Sequence, residues 1–274
     1  VKRRQMRRIL LRLSYAGGGF CGSARQVGVR TVQGELEGAL RRLQETGRTL
    51  FTSRTDAGVH ALDAPVAVDI EKEWQPQRLL AALNAHLPED IRVWAAEEVP
   101  PDYNPRYRAL RKRYDYLLFV GVAPAAWGGY VYCVRRKLDF ERMFLAARRL
   151  VGTRNLGGII VGQNKRTVWT IERFCLERVA VCGGEVVRFC LEAKAFGYKM
   201  VRSLCGLVVE VGRGVVGVGE VEDVASGRRG WRRVVLPSQG LWLVRVDLEG
   251  VRCGWQSSPT STPIWQPLPP LLRI

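Results

Sequence analysis

The sequence predicts an α+β protein of two ferredoxin-like lobes, each β-α-β-β-α-β, with joined antiparallel sheets and a central basic cleft. Three observations predict it. Stretches with the two-residue period of strands take turns with stretches whose apolar residues recur at helical spacing. The order of these stretches before residue 99 returns after residue 106, without obvious identity between the halves. The 274 residues suffice for one large domain or two small ones, and an apolar fraction of 47% supplies a full core.

The first lobe is expected over residues 1–99. Ile9, Leu11, Leu13 and Tyr15 alternate as a strand, and Gly17-Gly18-Gly19 ends it. Thr31 is a plausible N-cap for a helix with Val32, Leu36, Ala39, Leu40 and Leu43 on one face. Two strands follow, Thr49–Thr52 and Ala64–Ile70. Pro76 suits the first turn of a second helix, buried through Leu79, Leu80 and Leu83. Ile91, Val93 and Ala95 close the unit.

Pro100–Pro105 reads as a linker, and the second lobe is expected over 106–250. Tyr114, Tyr116 and Leu118 alternate on a strand. Asp139 caps a helix with Phe140, Met143, Phe144, Ala147 and Leu150 on one face. Thr167–Val181 and Glu185–Ala195 form a long hairpin around Gly183-Gly184. A helix carries Met200, Leu204, Leu207, Val208 and Val211. A short helix at Glu220–Ala225 and a strand at Leu241–Leu248 complete the set. The Pro- and Ser-rich tail, 251–274, has no periodicity and is expected to be disordered.

The formal net charge is +17, with arginine far ahead of lysine. Such an excess points to a polyanionic partner, because phosphates attract cations and release counterions on binding. It does not separate RNA from DNA. No apolar run of about 18 residues is present to span a membrane. The basic start Val1–Arg8 lacks an apolar core and cleavage site, so a cytoplasmic location is expected. The seven cysteines form no CxxC pair, which argues against a zinc site. Cys175 and Cys190 fall on neighbouring strands of the hairpin, where a disulfide requires an oxidising or hyperthermophilic setting.

The chemistry centres on Ser53-Arg54-Thr55-Asp56-Ala57-Gly58-Val59-His60-Ala61, between the two middle strands of the first lobe. Gly58 allows a turn that a Cβ would obstruct. A carboxylate beside a cation stays ionised at neutral pH. Residue types alone leave two readings of Asp56: a nucleophile or base, or an ordinary Asx-turn with a surface ion pair. Arg202 lies two positions after Met200 and so points away from the apolar stripe of its helix. That direction suits either solvent or a cleft in which it meets Asp56. Tyr114 is a core residue or a platform for a base. His60 has no Asp or Ser partner nearby in sequence, which favours a structural or RNA-contacting role.

At Arg54–Ala61, RTDAGVHA, the sequence resembles the catalytic loop of the tRNA pseudouridine synthase A family. Thr31–Glu37 resembles that family's first helix, and Arg113-Tyr114-Asp115-Tyr116 its RYxY strand. Arg166-Thr167-Val168 resembles an RTI-like segment. Phe196–Arg202 with Gly206 resembles FLxxMVRxxxG, and Pro237–Leu243 resembles APxxGLxL. The likeness runs from about Ile9 to Leu248. Departures are Ser53 for the usual glycine, Gly22–Gln26 for a GWQxQ-like stretch, and Gly152–Leu156 for GTHDF.

The resemblance implies the pseudouridine synthase fold and an isomerase that converts uridine to pseudouridine in tRNA. It implies no cofactor or metal, a homodimer, and a target in the anticodon stem-loop, usually positions 38 to 40. By motif, Asp56 is then the catalytic nucleophile or base. Arg54 helps hold the flipped nucleotide, Tyr114 stacks on the target base, Arg202 pairs with Asp56, and Leu243 closes an apolar wall. The competing expectation is a noncatalytic tRNA-folding chaperone on the same fold. A DNA-binding domain is weaker, since no helix-turn-helix or basic zipper is evident.

Overall fold

A computed structural model of the chain describes residues 6–160, 166–181 and 183–251. The first half runs β1 (Arg7–Tyr15), α1 (Val32–Arg42), β2 (Thr49–Phe51), β3 (His60–Ile70), α2 (Pro76–His86) and β4 (Ile91–Val99). The second runs β5 (Ala109–Gly121), β6 (Tyr132–Val134), α3 (Phe140–Arg149), β7 (Gly152–Asn155), β8 (Val168–Ile171), β9 (Arg173–Val181), β10 (Gly184–Ala193), α4 (Met200–Gly212), α5 (Val221–Ser226) and β11 (Leu241–Leu248).

One sheet crosses both halves in the order β4-β1-β3-β11-β5-β10-β9, with β2 on β3 and β6 on β5. Within each half the pairing has the same ferredoxin-like sense: closing strand, first strand, third strand, second strand. The halves join where β11 runs parallel to β3, through Trp242 opposite His60 and Leu243 opposite Ala61. Further along β3 the neighbour is β2, at Val66 to Val68. Pro65, which has no N–H to donate, falls between these two stretches. Beyond the two paired residues the seam is held by side chains. The Arg12 guanidinium donates to Asp63 at 2.6 Å and to the Val246 carbonyl at 3.2 Å, while the Val246 N–H donates to Asp63 at 3.1 Å. Both charged groups are buried, and their mutual bonds offset a desolvation that would otherwise be prohibitive.

The helices form where the apolar stripes predict. Thr31 accepts from the Gly34 N–H and Asp139 from the Arg142 N–H, so both expected N-caps are in place. Pro76 opens α2. Several details differ from expectation. Leu80 is only half-buried. In β4 the buried positions pass from Val93 to Ala96 rather than Ala95, because the register against β1 slips at Trp94 and a bulge moves the next side chain across the sheet. Phe144 is exposed and Ala146 takes the inward position, since α3 turns Met143, Ala146 and Ala147 inward.

The first arm of the long hairpin is split. Trp169 and Ile171 are buried at odd positions, Phe174 and Leu176 at even ones, so the strand breaks at Glu172. β8 pairs with β7 in a separate two-stranded sheet, and β9 alone pairs with β10. β6 and β7 were not expected from the sequence. The stretch at 100–105 is pinned rather than slack. The Tyr103 hydroxyl donates to the Glu249 carbonyl, and Arg8 donates to the Tyr103 carbonyl. The tail at 252–274, with Trp255 and Trp265, lies outside the described residues. No described helix is long and apolar enough to cross a membrane.

Candidate active site

The loop between β2 and β3 carries Asp56, and four hydrogen bonds fix its path. The Ser23 hydroxyl accepts from the Thr55 N–H at 2.8 Å, and the Ser23 N–H donates to the Thr55 carbonyl at 3.1 Å. The Tyr15 and Thr55 hydroxyls meet at 2.9 Å, both buried. The Asp56 carbonyl accepts from the Val59 N–H at 3.2 Å and closes the turn. Gly58 has φ +78°, and a Cβ there would stand 2.6 Å from the Ser238 hydroxyl. Thr55 thus points into the protein and Asp56 outward, half-buried.

Arg202 comes from the first turn of α4. Twelve of the thirteen residues of α4 are buried, and Arg202 is the exception. This helix is therefore buried nearly all round, and the choice between solvent and cleft falls to the cleft. The Arg202 Nη1 donates to Asp56 Oδ2 at 3.0 Å, and its Nε donates to the Leu236 carbonyl at 2.6 Å. Leu236 is held there because residues 234–236 run against α4. Gly206 permits that approach: a Cβ on it would stand 2.1 Å from the Val234 carbonyl oxygen.

Tyr114 of β5 packs edge-to-face on Phe196, ring centres 5.3 Å apart. Burial, with the Asp56 charge adding to it, pushes the Tyr114 phenol up, so it stays a neutral hydroxyl. Leu243 is buried opposite both Ala61 and Tyr114 in the ladder. Arg54 is exposed, and no described residue is hydrogen-bonded to it. The structure thus brings Asp56 onto Arg202, places Tyr114 and Leu243 at the adjoining seam, and leaves Arg54 on the outer side of the loop.

His60 is structural. Its Nδ1 accepts from the Gly17 N–H at 3.0 Å, so its Nε2 carries the proton and donates to the Gly129 carbonyl at 2.9 Å. Its ring stacks on Trp242 with centres 4.3 Å apart. Burial pulls the imidazole down to about 4, so it is neutral through the physiological range.

Two participants were missed by the sequence reading. Ser23, noted there only as a departure, is fully buried and clamps Thr55. Lys112 lies two residues before Tyr114 on the same face of β5, a spacing that was legible. Its Nζ is 3.5 Å from the Thr52 carbonyl, and burial pulls the amine down to about 8, with Arg106 adding to the effect. Among the described residues no cluster of His, Cys, Asp or Glu gathers to hold a metal.

Fold and site together define a protein that offers one acid, gripped by an arginine, at the seam of two α+β halves in a strongly basic chain. The comparisons with known proteins agree on what such a protein is. The family model described as tRNA pseudouridine synthase matches residues 14–108 and 146–248. A tRNA pseudouridine synthase A of Cereibacter sphaeroides is 37% identical over 247 residues, covering 88% of this chain and 97% of that protein. One from Roseiflexus sp. (strain RS-1) is 36% identical, covering 88% and 90%. One from Dinoroseobacter shibae is 36% identical, covering 87% and 95%. The chain belongs to the tRNA pseudouridine synthase family, has its fold, and is an isomerase that acts on tRNA.

Proposed function

We propose that Asp56 is the catalytic residue and that the target is a uridine of the anticodon stem-loop, at position 38, 39 or 40. The observation that carries the first part is the Arg202–Asp56 contact at the seam of the halves, on a loop fixed from behind by Ser23 and Tyr15. The second part rests on the motif likeness alone. On this reading the division into lobes at residues 99 and 106 has a purpose, since the acid comes from one lobe and its cation from the other.

The reaction breaks the C1′–N1 bond of uridine, turns the uracil, forms C1′–C5, loses the C5 proton to solvent and takes one up at N1. Substrate and product have the same atoms and oxidation state, so no co-substrate is consumed. A uridine in a stem is stacked and paired and has to leave the duplex before its sugar is accessible. The net positive charge supplies affinity for the backbone that does not depend on sequence. Arg54, exposed beside Asp56, holds the phosphates of the flipped nucleotide. Tyr114 stacks on its base, and Leu243 backs the apolar wall. Asp56 then acts either as a nucleophile on the sugar or base, or as a base that removes a sugar proton. Arg202 is a positioning residue, keeping the carboxylate aimed outward. Assembly as a homodimer in the cytoplasm completes the reading.

The test is tritium release from tRNA transcripts labelled with [5-³H]uridine, wild type beside Asp56→Asn. Release by wild type alone, with tRNA affinity of the variant within a few-fold, supports the assignment. Near-native release by Asp56→Asn removes Asp56 from the chemistry. Binding without release by wild type favours a tRNA-folding chaperone instead. Mapping the product fixes the target position, and light scattering reads the oligomeric state.

A further inference from the structure

A second reactive cluster lies on the opposite face of the sheet, in the second half. Phe174 and Leu176 of β9 are buried in the core, so the alternating residues Arg173, Cys175 and Glu177 face the other way. Cys175 is the direct register partner of Cys190 on β10. Residues so paired in an antiparallel ladder stand about 4.5–5.5 Å apart at Cα, inside the span of about 4.4–6.8 Å that a disulfide bridges. Their Cβ atoms project from the same face, and both thiols are free. β9 is the edge strand, and Cys175 is half-buried while Cys190 is buried.

The charged neighbours on every strand of this face are paired with one another. On β9 and β10, Arg173 lies 3.6 Å from Glu192 and Arg188 pairs with Glu177. On β5, Arg113 and Arg188 both reach Asp115, at 3.1 and 3.5 Å, and Arg111 reaches Glu192 at 3.5 Å. The Cys190 Sγ has a Glu192 oxygen at 4.0 Å. The neighbouring Cys190 thiol, helped by the Arg173 guanidinium, pulls Cys175 down to about 6 against its burial. The neighbouring Cys175, with burial, pushes Cys190 up.

We propose that Cys175 is a modification site, a nucleophilic thiolate that reacts with low-molecular-weight disulfides and is resolved by Cys190 into a cross-strand disulfide. In the first step the Cys175 thiolate attacks one sulfur of the reagent, forming a mixed disulfide and releasing one thiolate. In the second step Cys190 gives its proton to solvent and attacks the Cys175 sulfur, releasing the second thiolate. The two protein thiols are oxidised, and the reagent disulfide is reduced to two thiols. The site is independent of the proposed chemistry at Asp56.

The experiment exposes the full chain to oxidised glutathione at pH 6.5 and maps the peptides. The expected product joins Cys175 to Cys190, with the loss of two hydrogens and no retained glutathione. Cys190→Ser is expected to stop at the mixed disulfide on Cys175, and Cys175→Ser to leave Cys190 a free thiol. Iodoacetamide labelling of Cys175 is expected to reach half its plateau near pH 6. Arg173→Ala moves the Cys175 midpoint upward. Two results overturn the proposal: Cys21 modified while Cys175 stays free, or wild type halting at the mixed disulfide.

Discussion

The Arg202 guanidinium bridges Asp56 Oδ2 and the Leu236 carbonyl, joining three segments, with the acid and the arginine 146 residues apart in sequence. One nitrogen grips the carboxylate and another grips the backbone. The planar fork makes both bonds at once, which a lysine ammonium on a flexible stem does not reproduce.

Arg202→Ala is therefore expected to lower single-turnover rates by roughly 10- to 100-fold, the range that follows from losing a charged hydrogen bond of about 1.5–3 kcal/mol. Arg202→Lys restores only part of the loss, because it keeps the charge without the second bond. The measurement is tritium release at saturating enzyme. Native rates in Arg202→Ala would sever Arg202 from catalysis.

Gly58→Ala places a Cβ at φ +78° and against the Ser238 hydroxyl. The left-handed backbone alone costs an alanine about 1–2 kcal/mol. We expect a lower melting temperature and slower turnover, since the loop that carries Asp56 has to shift. The double variant Gly58→Ala with Ser238→Gly relieves the contact but keeps the backbone strain. It should recover part of the activity. Equal loss in both variants would show that the Ser238 contact is immaterial.

His60 links stability to acid. Its ordinary value of 6.5 falls to about 4 in the folded chain. Between those values the unfolded chain binds the proton and the folded chain does not, so stability is lost as pH falls from about 6.5 towards 4. The lowering corresponds to about 3 kcal/mol at most. Urea denaturation at pH 7, 5.5 and 4.5 reads it. His60→Gln is expected to be less stable at pH 7, where it lacks the stacked ring, and to decline less steeply with acid. Parallel slopes would mean that other groups carry the pH dependence.

Lys112 predicts the opposite limb. Its amine, pulled down to about 8 by burial, loses its charge as pH rises through that value. Lying two residues before Tyr114 on the face that borders the Asp56 loop, it is placed to attract phosphate. At fixed salt, tRNA affinity is expected to weaken from pH 7 to 9 in the wild type. Arg at this position stays charged, so Lys112→Arg should flatten the curve. An equally steep decline in that variant would exclude Lys112 as its source.

Much of the fold was legible because both halves of the chain build on simple periods. The caps at Thr31 and Asp139 and the proline opening α2 are local signals, and local physics decides them. The misses share a cause. Ala95, the break at Glu172 and the pairing of β7 with β8 all turn on bulges and partners that lie elsewhere in the chain. A one-residue slip changes the face of every side chain beyond it.

The sequence by itself determined the family of this protein and its positive charge, and it singled out the acid and the arginine of the proposed site. Those follow from residue types and from spacings within single segments. The tertiary structure alone decided that Arg202 reaches Asp56 rather than solvent, that His60 is a neutral strut, and that Ser23 clamps the loop. Each is a contact between segments distant in the chain. Such contacts depend on how β3 and β11 meet across the seam, a parallel junction of two residue pairs completed by the buried Arg12–Asp63 pair. No periodicity in one dimension encodes that meeting. It is set by which faces the two halves have left to bury against each other.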